Sequence, residues 1–317
     1  MIRTTKEYLS LSLKGMAMGA ADIIPGVSGG TIAFISGIYE ELIETINNVN
    51  FEAIKKLKNN GIKSFWTHIN GNFLIALLTG IAISIMSLAK VITHLLETHS
   101  QLLWGFFFGL IVASVYIVGK KVNKWDVNNI ISLIIGSSIA FYITILNPMQ
   151  NPDALWFVFL SGSIASCAMI LPGISGSFIL LLLGSYEFIL VAITGFKLDV
   201  ITIFGVGCIT GLLAFSKLLK WLFKNYHDIT IALLIGFLIG SLNKIWPWKE
   251  TIQTRINSHG EIVPFIQSNV LPSNFEGDSN IIEVILLSLI GLVLIYLLER
   301  FSIHNNNCLL YTSDAAD

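Results

Sequence analysis

The chain has 317 residues, of which 54% are hydrophobic and only 12% are charged. Soluble domains carry about a quarter charged residues, so this composition, with a mean hydropathy of +0.75, excludes a soluble protein. It predicts an all-α polytopic membrane protein. The formal net charge of −1 says little about partners, because the positions of the charges matter more than their sum. No nucleic-acid partner is expected.

The N-terminal part of the chain predicts a broken helix. Residues 1–14 are expected to form a surface-lying lead-in. The stretch Pro25-Gly26-Val27-Ser28-Gly29-Gly30 then interrupts an apolar segment, because proline lacks an N–H and glycine adopts angles that other residues avoid. The segment 15–46 is too long for one crossing of about 20 residues and short for two. It predicts a re-entrant hairpin, followed by a Lys-rich interfacial helix at 47–70.

The rest of the chain predicts two similar halves. The first repeat, 1–150, continues with three transmembrane spans at 72–95, 102–118 and 130–146. The second repeat, 151–307, is predicted to contain a hairpin at 154–194, spans at 200–223, 229–245 and 281–300, and an outer loop at 246–280. Within that loop, Trp246 and Trp248 suit the headgroup belt, and Thr251–Gln267 is predicted to form a hairpin turning at Ser258. The segment 308–317 is predicted to be a non-native tail.

The motif at the first break occurs twice. It returns as Pro172-Gly173-Ile174-Ser175-Gly176-Ser177, and further matches at the same spacing are Gly37 with Gly184, Tyr39 with Tyr186 and Glu40 with Glu187. Each half then holds a hairpin and three spans, an odd number of crossings, so the second half must be inverted. With both termini cytoplasmic, most of the 19 lysines and arginines fall on the inner side.

The two motifs are the predicted binding site. Each places serine and glycine where a half-helix begins, and backbone N–H groups there lack partners and carry partial positive charge. Two such ends entering from opposite faces would form an anion cradle near the membrane midplane. The alternative is that the small residues only let helices pack closely.

Charged residues at membrane depth are candidates for coupling. Asp22 precedes the first motif, and Met169 stands at its counterpart position. This asymmetry suggests a carboxylate that binds a coupling proton or sodium ion, with a structural cap as the alternative. Glu40 and Glu187 are further coupling candidates that could pair with Lys217 and Lys90 or reach the interface. The two lysines could attract a phosphate or simply snorkel.

The segments GAADIIPGVSGGTIAFISGIYEELI at 19–43 and ILPGISGSFILLLLGSYE at 170–187 resemble a bacterial family, the polyprenyl-phosphate transporters of the PopT type. The resemblance covers about residues 8–304. It implies a flippase in the cytoplasmic membrane that returns undecaprenyl phosphate from the outer leaflet for reuse in peptidoglycan and other cell-envelope polymers. The matching positions are Asp22, Pro25, Gly26, Ser28, Gly29, Gly30 and Thr31, with Pro172, Gly173, Ser175, Gly176 and Ser177. Ser177 departs from the Gly-Thr of the first motif.

Three other functions are weighed against transport of a lipid phosphate. An intramembrane polyprenyl-pyrophosphate phosphatase would need a positioned acid or base and usually an arginine, and neither hairpin contains Arg or His. A carrier for a small soluble anion would need a polar route, and a structural scaffold would not explain a duplicated broken helix. We predict no catalytic residue, no metal site and no cofactor, because neither zinc-ligand spacing nor a nucleotide-binding loop occurs.

Overall fold

The computed structural model describes residues 3–24, 26–149, 154–256 and 262–313; Pro25, residues 150–153 and the predicted turn at Ser258 lie outside these ranges. The described chain folds into the following elements: α1 Thr5–Asp22, α2 Gly29–Ile35, α3 Tyr39–Asn48, α4 Phe51–His68, α5 Gly71–Thr98, α6 Ser100–Gly119, α7 Val127–Ile145, α8 Leu155–Ile170, α9 Gly176–Leu182, α10 Tyr186–Thr194, α11 Leu198–Asn225, α12 His227–Ser241, β1 Lys249–Ile256, β2 Ile262–Asn269, a 3₁₀ turn Pro272–Asn274 and α13 Ile281–Ser313.

Among the described residues, four helices are long and apolar enough to cross a membrane, namely α5, α6, α7 and α11. The pair α9 and α10 meets the same test as a bent unit with an angle of 109°. The prediction of an all-α polytopic membrane protein is confirmed at this level. The span predicted at 229–245 ends earlier in the structure, because the chain turns after Ser241. Helix α12 therefore has 15 residues and a length of about 22 Å at 1.5 Å per residue.

The segment predicted to be the first hairpin differs from the expectation at its start and within its second arm. Helix α1 begins at Thr5, not at residue 15, because Thr4 and Glu7 form a capping box that starts the helix early. The lead-in is therefore part of the hairpin arm. The second arm is broken into α2 and α3 at Gly37, whose φ of 75° few other residues adopt. Gly184, with φ of 66°, separates α9 from α10 in the same way.

The helices pack in matching pairs. Helix α5 packs along α1, and α11 packs along α8; α7 packs against α12, and α6 packs against α13. In the latter two pairs, each partner comes from the other half of the chain. The centre of the protein is α12, where Leu234 and Leu238 are fully buried. It lies against the second motif, since a β-carbon at Gly173 would come within 2.7 Å of the Ser241 hydroxyl oxygen. In the first motif and just after it, Val27, Ser28 and Thr31 are also fully buried.

The loop between α12 and α13 contains the predicted hairpin, with β1 and β2 antiparallel. We expected the two tryptophans before it to lie in the headgroup belt, but in the structure both form hydrogen bonds within the protein. Trp248 is only 6% exposed, and its indole N–H donates to the carbonyl of Ser279 over 2.7 Å. The N–H of Trp246 donates to the carbonyl of Val270 over 2.8 Å. Both rings hold the loop against the helices because a buried indole N–H needs an acceptor.

Helix α4 covers the segment predicted to be an interfacial helix. Gly61 has non-helical angles and divides it into two parts. Large apolar side chains are left mostly exposed, with Phe51 91% and Ile62 75% exposed. That pattern, together with the lysines on the same segment, is typical of a helix on a membrane surface.

Candidate functional site

The two motifs are in direct contact. The hydroxyl of Ser28 donates to the carbonyl oxygen of Met169 over 2.9 Å, and the backbone N–H of Gly173 donates to the hydroxyl of Thr31 over 2.8 Å. Gly30 lies against α8 so closely that a β-carbon would overlap the carbonyl oxygen of Ile170. The expectation that the two breaks converge is therefore met by three separate contacts.

The N–H groups of the first motif are not free, contrary to our expectation from the sequence. The N–H of Gly29 donates to a carboxylate oxygen of Asp22 over 2.6 Å, and that of Gly30 donates to the hydroxyl of Ser28 over 3.0 Å. Asp22 therefore caps α2, which is the alternative role considered for it. A carboxylate fills this end because it supplies the negative charge that a helix N-terminus favours.

The second motif is open by comparison. Met169 takes the place that Asp22 has in the first motif: its Cβ lies 3.5 Å from the position of a β-carbon at Gly176, and it offers no acceptor. In the described chain the N–H groups of Gly176 and Ser177 have no hydrogen-bond acceptor. The hydroxyls of Ser175 and Ser177 lie 2.8 Å apart. Gly176 and Ser177 are partly exposed, so an incoming anion can reach this motif more readily than the buried first one.

A lysine that the sequence did not single out lies beside both motifs. The side chain of Lys244, in the turn after α12, lies across Gly26, with its Cγ 2.9 Å from the position of a β-carbon there. Its ammonium group lies 4.3 Å from the ring centre of Phe178, in α9. Lys244 and Lys249 stand on either side of the Trp246-Pro247-Trp248 turn, and this arrangement matches no known sequence motif that would have indicated a site.

The other predicted charged residues lie away from the motifs. Lys90 and Lys217 are exposed on α5 and α11, and no ion pair joins either to a motif residue in the described part of the chain. Glu40 does not pair with Lys217; its carboxylate lies 3.4 Å from His227 Nε2, because α3 packs along α11, which ends just before His227. Glu187 lies in the first turn of α10.

Helix α3 is tied to its neighbours by further charged contacts. Arg3 forms a two-pronged ion pair with Glu41, with distances of 2.7 and 2.5 Å, and Asn70 donates to the same carboxylate. Lys220 lies 3.6 Å from Glu44. The short helix α3 thus contacts α1, α5 and α11 through its acidic side chains.

Comparison with known proteins assigns the family. The family described as undecaprenyl phosphate translocase-like matches residues 18–263, which include both motifs and Lys244. The chain belongs to this family. It is 48% identical over 302 residues to a polyprenyl-phosphate transporter of Vibrio cholerae serotype O1, covering 94% of this chain and 98% of that protein. It is 33% identical over 253 residues to a polyprenyl-phosphate transporter of Staphylococcus aureus, covering 74% of this chain and 85% of that one. No solved structure matches it.

In this undecaprenyl phosphate translocase-like protein, the described residues contain no group of three or more His, Cys, Asp or Glu that could hold a metal ion. The groups that meet at the motifs are therefore hydroxyls, backbone N–H groups, one carboxylate and one ammonium. Such a set can bind and release an oxyanion through hydrogen bonds and charge.

Proposed function

We propose that this protein transports undecaprenyl phosphate from the outer to the cytoplasmic leaflet of the bacterial cytoplasmic membrane, for reuse in peptidoglycan and other envelope polymers. The observation that carries the proposal is that each copy of the PG[VI]SG motif bonds to a residue flanking the other copy: Ser28 to Met169, and Gly173 to Thr31. The two relatives are named polyprenyl-phosphate transporters. A site that can open to either side needs binding groups from both halves of the chain.

We further propose that the halves are inverted repeats whose hairpins enter from opposite faces. The glycine contacts support this proposal because they recur in pairs. Gly15 in α1 packs on the carbonyl of Leu77 in α5, and Gly162 in α8 packs on that of Phe204 in α11. The helix pairs that join the two halves of the chain also match: Gly136 in α7 contacts Leu233 in α12, and Gly291 in α13 contacts Phe106 in α6. A two-fold relation in the membrane plane would produce such reciprocal contacts.

In this proposal the second motif binds the phosphate head before the first motif does. The hydroxyls of Ser175 and Ser177 and the unpaired N–H groups of Gly176 and Ser177 would donate to phosphate oxygens. The apolar isoprenoid tail would remain in lipid, so the protein would need a polar site only for the head. Lys90 and Lys217, exposed on α5 and α11, would attract the headgroup at the membrane surface without holding it.

Asp22 would couple this step to an ion. Its carboxylate accepts a hydrogen bond from the N–H of Gly29, and a bound phosphate would need a donor of the same kind. Two anions cannot share one set of donors without strong repulsion, so neutralising Asp22 with a proton or a sodium ion would free the first motif for the phosphate. Glu40 and Glu187, which begin α3 and α10, are the remaining candidates for coupling.

The proposal excludes hydrolysis of the lipid. Cleavage of a pyrophosphate would need a general acid or base and a cation on the transferred phosphoryl group. Both hairpins lack histidine and arginine, and the names of the relatives are compatible with a protein that moves the lipid without cleaving it.

Proteoliposomes that contain polyprenyl phosphate test the proposal. A soluble phosphatase added outside removes only the phosphate heads in the outer leaflet, and the remaining lipid reports the exchange between leaflets. We expect the wild-type protein to make the inner pool accessible much faster than empty liposomes do, and Ser175→Leu to abolish the effect. No acceleration by a folded wild-type protein, or release of phosphate from polyprenyl pyrophosphate without added phosphatase, would contradict it.

A further inference from the structure

Two lysines of the loop after α12 lie together without an acidic partner. The ammonium group of Lys249 donates to the carbonyl oxygen of Lys244 over 2.5 Å, and both side chains are partly buried. No carboxylate in the described ranges forms an ion pair with either. Buried or half-buried charges in proteins are normally paired, since removal from water is costly. This pair therefore lacks a counter-ion.

Besides that carbonyl, aromatic rings supply partial compensation. The Lys244 ammonium lies 4.3 Å from the ring centre of Phe178, and that of Lys249 lies 3.9 Å from the ring centre of Trp104. Each cation–π contact is worth about 0.5–2 kcal/mol, less than a partly desolvated ammonium needs. Burial, together with the neighbouring Lys244 charge, lowers the pKa of Lys249 well below its usual range. An anion bound between them would relieve both effects.

The turn that holds the two lysines is fixed in place. Trp246 and Trp248 each donate to a backbone carbonyl, and their rings pack edge to face at 5.6 Å. The side chain of Asn243 donates to the Thr144 hydroxyl over 2.7 Å, and Asn269 donates to the carbonyl of Asn243 over 2.7 Å. A binding group held by such contacts loses little freedom when it meets a ligand.

We infer that Lys244 and Lys249 form an anion site on the outer side of the motifs that receives the phosphomonoester head of the lipid before it reaches the second motif. The inference rests on the proposed function, because that proposal places the two lysines on the outer side of the membrane, where the lipid enters. Lys244 is placed for a transfer, because its stem crosses Gly26 of the first motif while its ammonium lies over α9 of the second. Lysine suits this task since its mobile point charge can follow a phosphate.

Binding to the full-length purified protein in nanodiscs tests the site, with polyprenyl phosphate and inorganic phosphate as separate probes. We expect Lys244→Gln to weaken binding of the lipid roughly ten- to hundredfold, the usual value of one charge-assisted contact, and Lys249→Gln to weaken it in the same direction. Lys244→Arg keeps the charge and should bind nearly as the wild type does. Lys197→Gln is the matched control, because Lys197 is an exposed lysine of the same proposed outer side.

Three results would overturn the inference. The first is wild-type affinity for the lipid in the double variant Lys244→Gln, Lys249→Gln, and the second is an equal loss in Lys197→Gln. The third is inorganic phosphate binding as tightly as the lipid, which would indicate a site for a free anion. If Lys244→Gln does not fold, the affinities of Lys249→Gln and Lys244→Arg for the lipid test the inference instead. A wild-type protein that binds the lipid through these lysines but fails to speed its exchange between leaflets would contradict the proposed function and leave this site standing.

Discussion

Ser28 and Met169 are joined by a hydrogen bond of 2.9 Å from the serine hydroxyl to the methionine carbonyl. The bond links the first motif to the helix that leads into the second, and it ends on the residue that replaces Asp22 in that half. The same hydroxyl accepts from the N–H of Gly30. One buried serine thus both caps its own helix and connects the two halves of the site.

Replacing Ser28 by alanine should loosen this connection. Removing the hydroxyl leaves the Gly30 N–H and the Met169 carbonyl without their partner in a buried place, which costs about 1–3 kcal/mol. We expect a lower unfolding temperature and slower lipid exchange, and complete loss of exchange in the bulkier Ser28→Leu. Ser87→Ala is the control, because that exposed serine bonds only to its own helix. If Ser28→Ala and Ser87→Ala change the unfolding temperature and the lipid exchange rate equally, the hydrogen bond between Ser28 and Met169 contributes little to either.

Gly30→Ala tests how closely the motifs must approach. The added methyl group would overlap the carbonyl oxygen of Ile170, and forcing an extra carbon into a packed core costs about 1–3 kcal/mol. We expect the two motifs to separate and transport to fall at least tenfold. Gly205→Ala is the matched control, since a β-carbon there meets nothing within 4 Å. Wild-type exchange rates in Gly30→Ala proteoliposomes would mean that close contact is not required.

Asp22→Asn separates the capping role of this residue from its proposed coupling role. The asparagine oxygen can still accept from the N–H of Gly29, so the cap and the fold should persist, while the negative charge is lost. We expect transport that no longer responds to an imposed proton or sodium gradient. Asp22→Ala, which loses the cap as well, should also unfold at a lower temperature. If Asp22→Asn transports with the gradient dependence of the wild type, Asp22 is a cap only.

Trp248→Phe tests the support of the lysine turn. The change removes the donor to Ser279 at a buried position, at a cost of about 1 kcal/mol, and replaces the two-ring indole by a smaller aromatic ring. We predict weaker binding of polyprenyl phosphate, because Lys244 and Lys249 are then less well fixed. Trp221→Phe serves for comparison, since the ring of Trp221 is 52% exposed. Unaltered affinity in Trp248→Phe would indicate that the turn is held by other contacts.

Much of the architecture follows from periodicity and composition alone. Long apolar runs predict α5, α6, α7 and α11 because helices must satisfy their backbone groups inside lipid. The breaks were predictable from proline and glycine. The second break at Gly37 was not recognised, although its return as Gly184 was visible in the repeat. A single glycine within an apolar run is an ambiguous signal until its φ is known.

The contact between the two motif regions was predictable from the sequence, but its details were not. The repeated motif indicates where the halves meet, because its residues interrupt a helix twice. Tertiary contacts decide which N–H groups remain available to a ligand. The carboxylate of Asp22 accepts the hydrogen bond of the Gly29 N–H, whereas Met169, at the corresponding position, leaves the N–H of Gly176 without an acceptor in the described chain. Lys244 lies beside Gly26 and Phe178 because α12 ends early and the loop folds back, and local sequence patterns do not predict that position.

The position of the lipid's phosphorus atom tests the central claim most directly. A structure of the protein in nanodiscs with bound polyprenyl phosphate would locate it. We predict phosphate density where the two motifs meet, within hydrogen-bond distance of the Ser175 and Ser177 hydroxyls and in contact with Lys244. Density for the head only along the lipid-facing surface of α5 or α11, with the motif contact closed and unoccupied in every class of particles, would contradict a transport site at the motifs.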